Sequence, residues 1–261
     1  MKLHYIVAAS ALAFSGAAHA ASPACSAFSE AHTTALVELY TSEGCDSCPP
    51  ADMWLSSLFG RGFRPGQVVP LALHVDYWDY IGWKDPFAKG EFSARQRRLA
   101  QLKRPVFVYT PQVVLQGQDF RRWGSSEFAD AVARINARPA RARITLSIDA
   151  VTPQAIQAGL GARLFDAAET KNVVAYLAAY ENKLATDVKA GENRGHRLEH
   201  DFVVREWIGP IGFGGDAMLQ EKRALPLLPG ANPRHLGVAA FVQNRATGEV
   251  LQALMLPACS P

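Results

Sequence analysis

The sequence predicts an α/β fold joined to a β-rich, sandwich-like C-terminal region, and three observations carry that expectation. A short apolar run, Leu36, Val37, Leu39 and Tyr40, leads into Cys45-Asp-Ser-Cys48, and Ala51, Trp54, Leu55 and Leu58 then recur at helical spacing. Two cysteines, two residues apart, thus stand where a strand hands over to a helix. Apolar runs and amphipathic stretches then alternate as far as residue 140. From about Arg141 the texture changes to short strand-like stretches separated by turn residues, without long helical patterns.

In chain order, Gly60, Gly62, Pro65 and Gly66 make a loop after the cysteine-bearing helix. Residues 68–75, Val-Val-Pro-Leu-Ala-Leu-His-Val, read as a buried strand, and an aromatic, acidic segment from Asp76 to Trp83 sits at its end. Asp85-Pro86 offers a cap and a first helical residue. The helix predicted there carries Phe92, Leu99 and Leu102, with Arg95, Arg97, Arg98, Lys103 and Arg104 on a solvated side. A strand interrupted by Thr110-Pro111 follows, then a short strand or turn over 119–123. Ser125 caps a helix that places Phe128, Val132 and Ile135 on one face. Beyond it, residues 144–149, 173–180, 203–207, 236–242 and 250–256 are strand-like, with glycine-rich turns at 191–195 and 212–215 and Pro229-Gly230 between them.

The N-terminus reads as a secretory signal peptide over 1–20: Lys2, an apolar stretch to Ala18, and Ala18-His-Ala20 as a small-x-small cleavage site before Ala21. No later run is long and apolar enough to span a membrane. A periplasmic or secreted protein is expected, in an oxidising compartment. The chain is 49% hydrophobic and 20% charged, as for a well-buried globular protein, and its formal charge of +3 falls to +2 without Lys2. So small a balance gives no reason to invoke nucleic acid or an acidic membrane. Four cysteines remain, and Cys25 and Cys259 stand near opposite ends of the chain, which in domains often lie close together. With Cys45 and Cys48 claimed by their own motif, a Cys25–Cys259 disulfide is the tidy pairing; two unpaired thiols are the alternative.

A thiol at a helix start ionises readily, because free N–H groups and aligned peptide dipoles stabilise negative charge there. The thiolate is the reactive form in disulfide exchange. With two residues between them the sulfurs can bond, so that one attacks and the other resolves a mixed disulfide. The competing readings are a structural disulfide or half of a zinc site, although no second CxxC or CxxH completes a zinc set. Cys45, first of the pair, is expected to be the more exposed of the two and to attack, and Cys48 to resolve. Asp46 beside the thiolate opposes its ionisation, which favours a reductant or exchange protein over a strong oxidant.

The order of elements up to residue 140 resembles that of thioredoxins, and residues 37–48 look like the active-site approach of a glutaredoxin or thioredoxin. Three stretches are similar to a bacterial exported, thioredoxin-like family labelled a domain of unknown function (1223): Tyr40 to Cys48, His74 to Pro86 and Tyr109-Thr-Pro-Gln112. The resemblance implies a thioredoxin-like domain over 21–140 and a β-rich region over 141–261 packed on it. It also implies a cis bond at Thr110-Pro111, beside the cysteines, where a substrate backbone would pair. Glu38 lies near the buried acid that relays protons in thioredoxins, one residue out of register, and Glu43 is a second candidate.

Trp78, Asp79 and Trp83 are candidate substrate contacts at a rim beside Cys45; the plainer reading is a packed aromatic cluster with capping aspartates. His74 reads as a core histidine. His196 and His200 would suit a metal on a helix, but their surroundings are strand-like and would part them by roughly 13 Å, so no metal site is assigned. The expected activity is thiol–disulfide exchange with protein or small-molecule thiols, through Cys45 and Cys48 and without an organic cofactor. The alternatives are a copper-handling protein using Cys45, Cys48 and His74, and a binding module in which the CxxC is only a staple.

Overall fold

A computed structural model describes residues 25–102, 107–152 and 154–259. The expected signal peptide and mature start, and Lys103 and Arg104, lie outside these residues. The most deeply buried strands are β2 (Ala35–Thr41) and β3 (Val68–His74), both covered at every position. Strands buried on both faces carry nearly continuous apolar sequence, which is why both runs stand out. They pair in parallel, Leu39 opposite Ala72, and α1 (Pro49–Ser56) connects them.

The other edge of β2 takes β4 (Gln112–Leu115) antiparallel, followed by β5 (Gln118–Asp119). The other edge of β3 takes β11 (Val203–Gly212) in parallel, through Val203 and Ala72. Beyond β11 come β8 (Val173–Glu181), β13 (Leu236–Asn244) and β14 (Val250–Pro257), all antiparallel, which completes an eight-stranded sheet. Helices α2 (Gly90–Gln101) and α3 (Glu127–Asn136) contribute Phe92, Leu99, Phe128 and Val132 to the core on one face of this sheet.

A second sheet of β1 (Cys25–Phe28), β6 (Ala142–Val151), β7 (Ala155–Leu164) and β12 (Met218–Pro226) covers the opposite face. Alternation in the strands divides the two cores. Ala175, Leu177 and Ala179 of β8 meet Ile144, Leu146 and Leu160 of the small sheet, whereas Tyr176, Ala178 and Tyr180 face the helices. The Cys25–Cys259 disulfide ties the start of β1 to the segment after β14, with its Cα atoms 6.2 Å apart.

The expected thioredoxin-like α/β fold is thereby corrected. Among the described residues fourteen strands accompany three α-helices, and the strand–helix–strand unit around the cysteines is absorbed into a sheet drawn from both halves of the chain. The fold is β-rich. The physical reason is the free edge of β3: periodicity identifies a strand but does not say what pairs with its edge, and here β11 extends the sheet past residue 140. The sequence also gave no sign of β7 and β12. The first is rich in alanine and glycine, the second in charge, and both lack the β-branched signature.

Two local expectations change as well. Asp85 accepts the Phe87 N–H at 2.9 Å, but α2 starts only at Gly90. Arg95 is not on the solvated face: it is buried, and its guanidinium lies 4.8 to 5.0 Å from the ring centres of Tyr176, Phe241 and Trp207.

Candidate functional site

Cys48 is the N-cap residue of α1, and its carbonyl accepts the Ala51 and Asp52 amides at 2.9 and 3.2 Å. Pro49 and Pro50 begin the helix, where their missing N–H groups cost nothing because the first turn has no carbonyls to offer them. The Cys45 and Cys48 sulfurs form a disulfide across this end, with Cα atoms 5.5 Å apart, and Ser47 Oγ lies 3.3 Å from Cys45 Sγ.

Both cysteines are 0% exposed, while Asp46 and Ser47 between them reach solvent. The expectation that Cys45 is the more exposed of the two is therefore corrected, and a turn far along the chain is bound to this loop. Asn193, buried in the turn over 188–196, donates Nδ2 to Glu43 O at 2.9 Å and to Cys45 O at 2.8 Å. Beside it the Glu192 N–H donates to Gly44 O, and Glu192 Oε2 accepts the Asp46 N–H at 3.0 Å. The backbone of the cysteine loop is thus strapped by hydrogen bonds from Glu192 and Asn193 in the second half of the chain.

The aromatic segment forms the other wall. A side chain at Gly44 would meet Ile81 at 3.3 Å and Trp78 at 3.4 Å, so the two segments pack closely here. Trp78 Nε1 donates to Thr110 Oγ1 at 2.6 Å, which draws the Thr110-Pro111 segment to the same place, and that peptide bond is cis. Trp83 Nε1 donates to Glu43 Oε2 at 2.9 Å. Asp79 Oδ1 accepts the Asp85 N–H at 3.3 Å, and burial raises the Asp79 carboxyl above its ordinary range.

Behind this loop lies a cluster of buried ionisable groups that the sequence did not reveal as a unit. Glu43, Asp52, His74, Asp85 and His200 are each at most 5% exposed. Asp85 Oδ2 accepts from His74 Nδ1 at 2.7 Å and from the Glu43 N–H at 2.8 Å. Burial works to raise the Asp85 carboxyl, but the His74 ring and these amides outweigh it and hold it below the usual carboxylate range. His200, closing β10 (Arg197–His200), directs Nε2 to Glu43 Oε1 at 3.2 Å, and its Nδ1 faces Asp52 Oδ1 at 3.8 Å. Burial disfavours an imidazolium there, yet the Asp52 and Glu43 carboxylates push the His200 pKa up to about 10. His196, by contrast, is exposed at the strand's edge, so the two histidines of the HxxxH spacing do not share a site.

Glu38 is committed elsewhere. It is fully buried, pairs with Arg95 through both carboxylate oxygens and accepts the Tyr40 hydroxyl at 3.3 Å. Asp52, one turn into α1, and Glu43 lie much nearer the cysteines along the chain. Asp52, Glu192 and Asn193 have no role legible in the sequence, where 191–195 reads only as a turn. A turn asparagine 148 residues from Cys45 carries no local pattern that would single it out.

The sequence matches, over residues 36–243, the family described as "Protein of unknown function (DUF1223)". No curated protein matches. Among solved structures, the chain is similar to the crystal structure of a protein from Agrobacterium tumefaciens. That chain is 25% identical, the TM-score is 0.61, and the match covers 89% of this chain and 98% of the other. It is also similar to HBP35 of Porphyromonas gingivalis, at 14% identity and a TM-score of 0.65, over 88% of this chain and 76% of that one; this second likeness concerns the fold alone. With a match spanning most of its length, the chain belongs to the DUF1223 family.

Proposed function

We propose that this protein exchanges disulfides with protein or small-molecule thiols through Cys45 and Cys48, in the periplasm or outside the cell. The supporting observation is the Cys45–Cys48 disulfide at the N-terminal end of α1, where a released thiolate would meet the positive end of the peptide dipoles. All four cysteines are in disulfides, which suits an oxidising compartment. Among the described residues no helix is long and apolar enough to cross a membrane.

In the proposed cycle a substrate thiolate attacks Cys45 Sγ, the Cys45–Cys48 bond breaks, and Cys48 leaves as the thiolate. A second substrate thiolate then attacks the substrate sulfur of the mixed disulfide and releases Cys45. Two thiols become one disulfide, and the CxxC pair takes up two electrons and two protons. Trp78, Asp79, Trp83, Thr110 and Pro111 flank the loop and would hold the incoming chain. Because the sulfurs are buried, the strap over 188–196 has to lift before the first attack.

That same burial favours one rival reading, in which the disulfide is only a staple holding the loop to α1. Equilibrating the protein in glutathione buffers of graded potential separates the two. A reversible two-electron transition at the glutathione or thioredoxin potentials supports exchange. A pair that stays oxidised until the fold melts supports the staple.

A further inference from the structure

We propose that His74, His200 and Asp52 form a binding site for a first-row divalent transition cation of the zinc type, behind the cysteine loop. The three residues are 0%, 2% and 5% exposed, and one ligand atom from each lies within 4.8 Å of the other two. The two imidazole rings stand 4.9 Å apart at 83° to one another.

Two further observations point to a ligand rather than to packing. His74 Nε2 and His200 Nδ1 are buried without a hydrogen-bond partner in the structure. In each ring the other nitrogen faces a carboxylate: His74 Nδ1 on Asp85 at 2.7 Å and His200 Nε2 on Glu43 at 3.2 Å. A carboxylate accepts, so His74 Nδ1 carries the proton and Nε2 is left to present a lone pair, whereas His200 faces carboxylates at both nitrogens and gives up its Nδ1 proton when the ion binds. This is the arrangement by which outer carboxylates fix the tautomer of metal-binding histidines. Asp52 is anchored the same way, with Oδ2 accepting the Thr41 hydroxyl at 2.9 Å while Oδ1 faces His200 Nδ1.

The chemistry of the donors selects the ion. Two imidazoles and one carboxylate suit zinc, cobalt or iron(II), whereas magnesium and calcium prefer oxygen throughout. Bonds of about 2.0–2.1 Å place tetrahedral ligand atoms about 3.4 Å apart, which asks these side chains to close by about 1 Å. Asp52, Glu43 and Asp85 together supply negative charge around the ion. A cavity of about 220 Å³, lined by Pro49, Met53 and Leu198 among others, opens onto Asp52 and His200. It offers a route in and room for a fourth ligand. The Cys45–Cys48 disulfide removes both thiolates from consideration.

The test uses the full mature chain with its disulfides intact, and Zn²⁺ as the probe. One ion per chain should bind at micromolar or lower concentration, raise the melting temperature and be reversed by a chelator, while Mg²⁺ has no effect. Co²⁺ should show tetrahedral ligand-field bands without a thiolate charge-transfer band. His74→Gln and His200→Gln should each weaken Zn²⁺ binding by about 100-fold, and Asp85→Asn by about 10- to 100-fold. Should the variants misfold, ¹⁵N resonances of the wild-type histidines decide: Zn²⁺ must shift those of His74 and His200. Absent binding, binding that survives His200→Gln, or Zn²⁺ that leaves both rings unperturbed would each overturn the proposal. None of these readouts involves the cysteines, so thiol exchange stands or falls separately.

Discussion

Asn193→Ala probes the strap over the cysteines directly. The wild-type amide donates to Glu43 O and Cys45 O. Among the described residues Glu43 O has no other donor, whereas Cys45 O keeps the Cys48 N–H at 3.3 Å. Stranding a buried carbonyl costs about 1–3 kcal/mol, and losing one of two bonds at the second carbonyl costs less, about 0.5–1 kcal/mol. The closed loop should therefore lose about 1.5–4 kcal/mol relative to the open one. At a factor of ten per 1.4 kcal/mol, the open population rises about 10- to 700-fold.

If reduction of Cys45–Cys48 waits for that opening, its rate in dithiothreitol rises by the same factor. The assay is a quenched-flow reduction time course, with the new thiols alkylated by iodoacetamide and assigned by peptide mapping. Leu160→Ala, in the distant sandwich core, should lower global stability by about 2–5 kcal/mol and leave this rate unchanged. An Asn193→Ala rate within twofold of wild type, or an equal acceleration in Leu160→Ala, would show that the strap does not control access.

Two further outcomes follow from other parts of the structure. Cys259→Ser opens a loop with 234 residues of separation and should lower unfolding free energy by about 5 kcal/mol in the chain-entropy account. Chemical denaturation checks this, and a loss below about 1 kcal/mol would contradict it. Glu38→Gln leaves the Arg95 guanidinium buried without its ion-pair partner and should cost about 3–5 kcal/mol. The double variant Glu38→Gln, Arg95→Met should recover much of that loss, and a double variant no more stable than Glu38→Gln would contradict the pairing.

Some of this protein could be read from residues alone, because those features are local. The strand–CxxC–helix junction is written in the apolar spacing from Leu36 to Leu58, and β3, β8, β13 and β14 announce themselves as apolar runs of strand length. The fold class and the character of the site were decided by contacts between distant segments. The pairing of β11 with β3 turned an apparent α/β unit into one part of a β-rich sheet. Backbone edges carry no side-chain pattern naming their partner, so periodicity could not supply that pairing. Arg95 looked like one more surface arginine until three aromatic rings and Glu38 closed around it. Likewise Asn193, Asp52 and His200 gain their meaning only from proximity: Asn193 ties the cysteine loop to the turn over 188–196, and two histidines 126 positions apart meet one buried aspartate. Hydrogen bonds and ion sites depend on distances of a few ångströms, and only folding sets those distances.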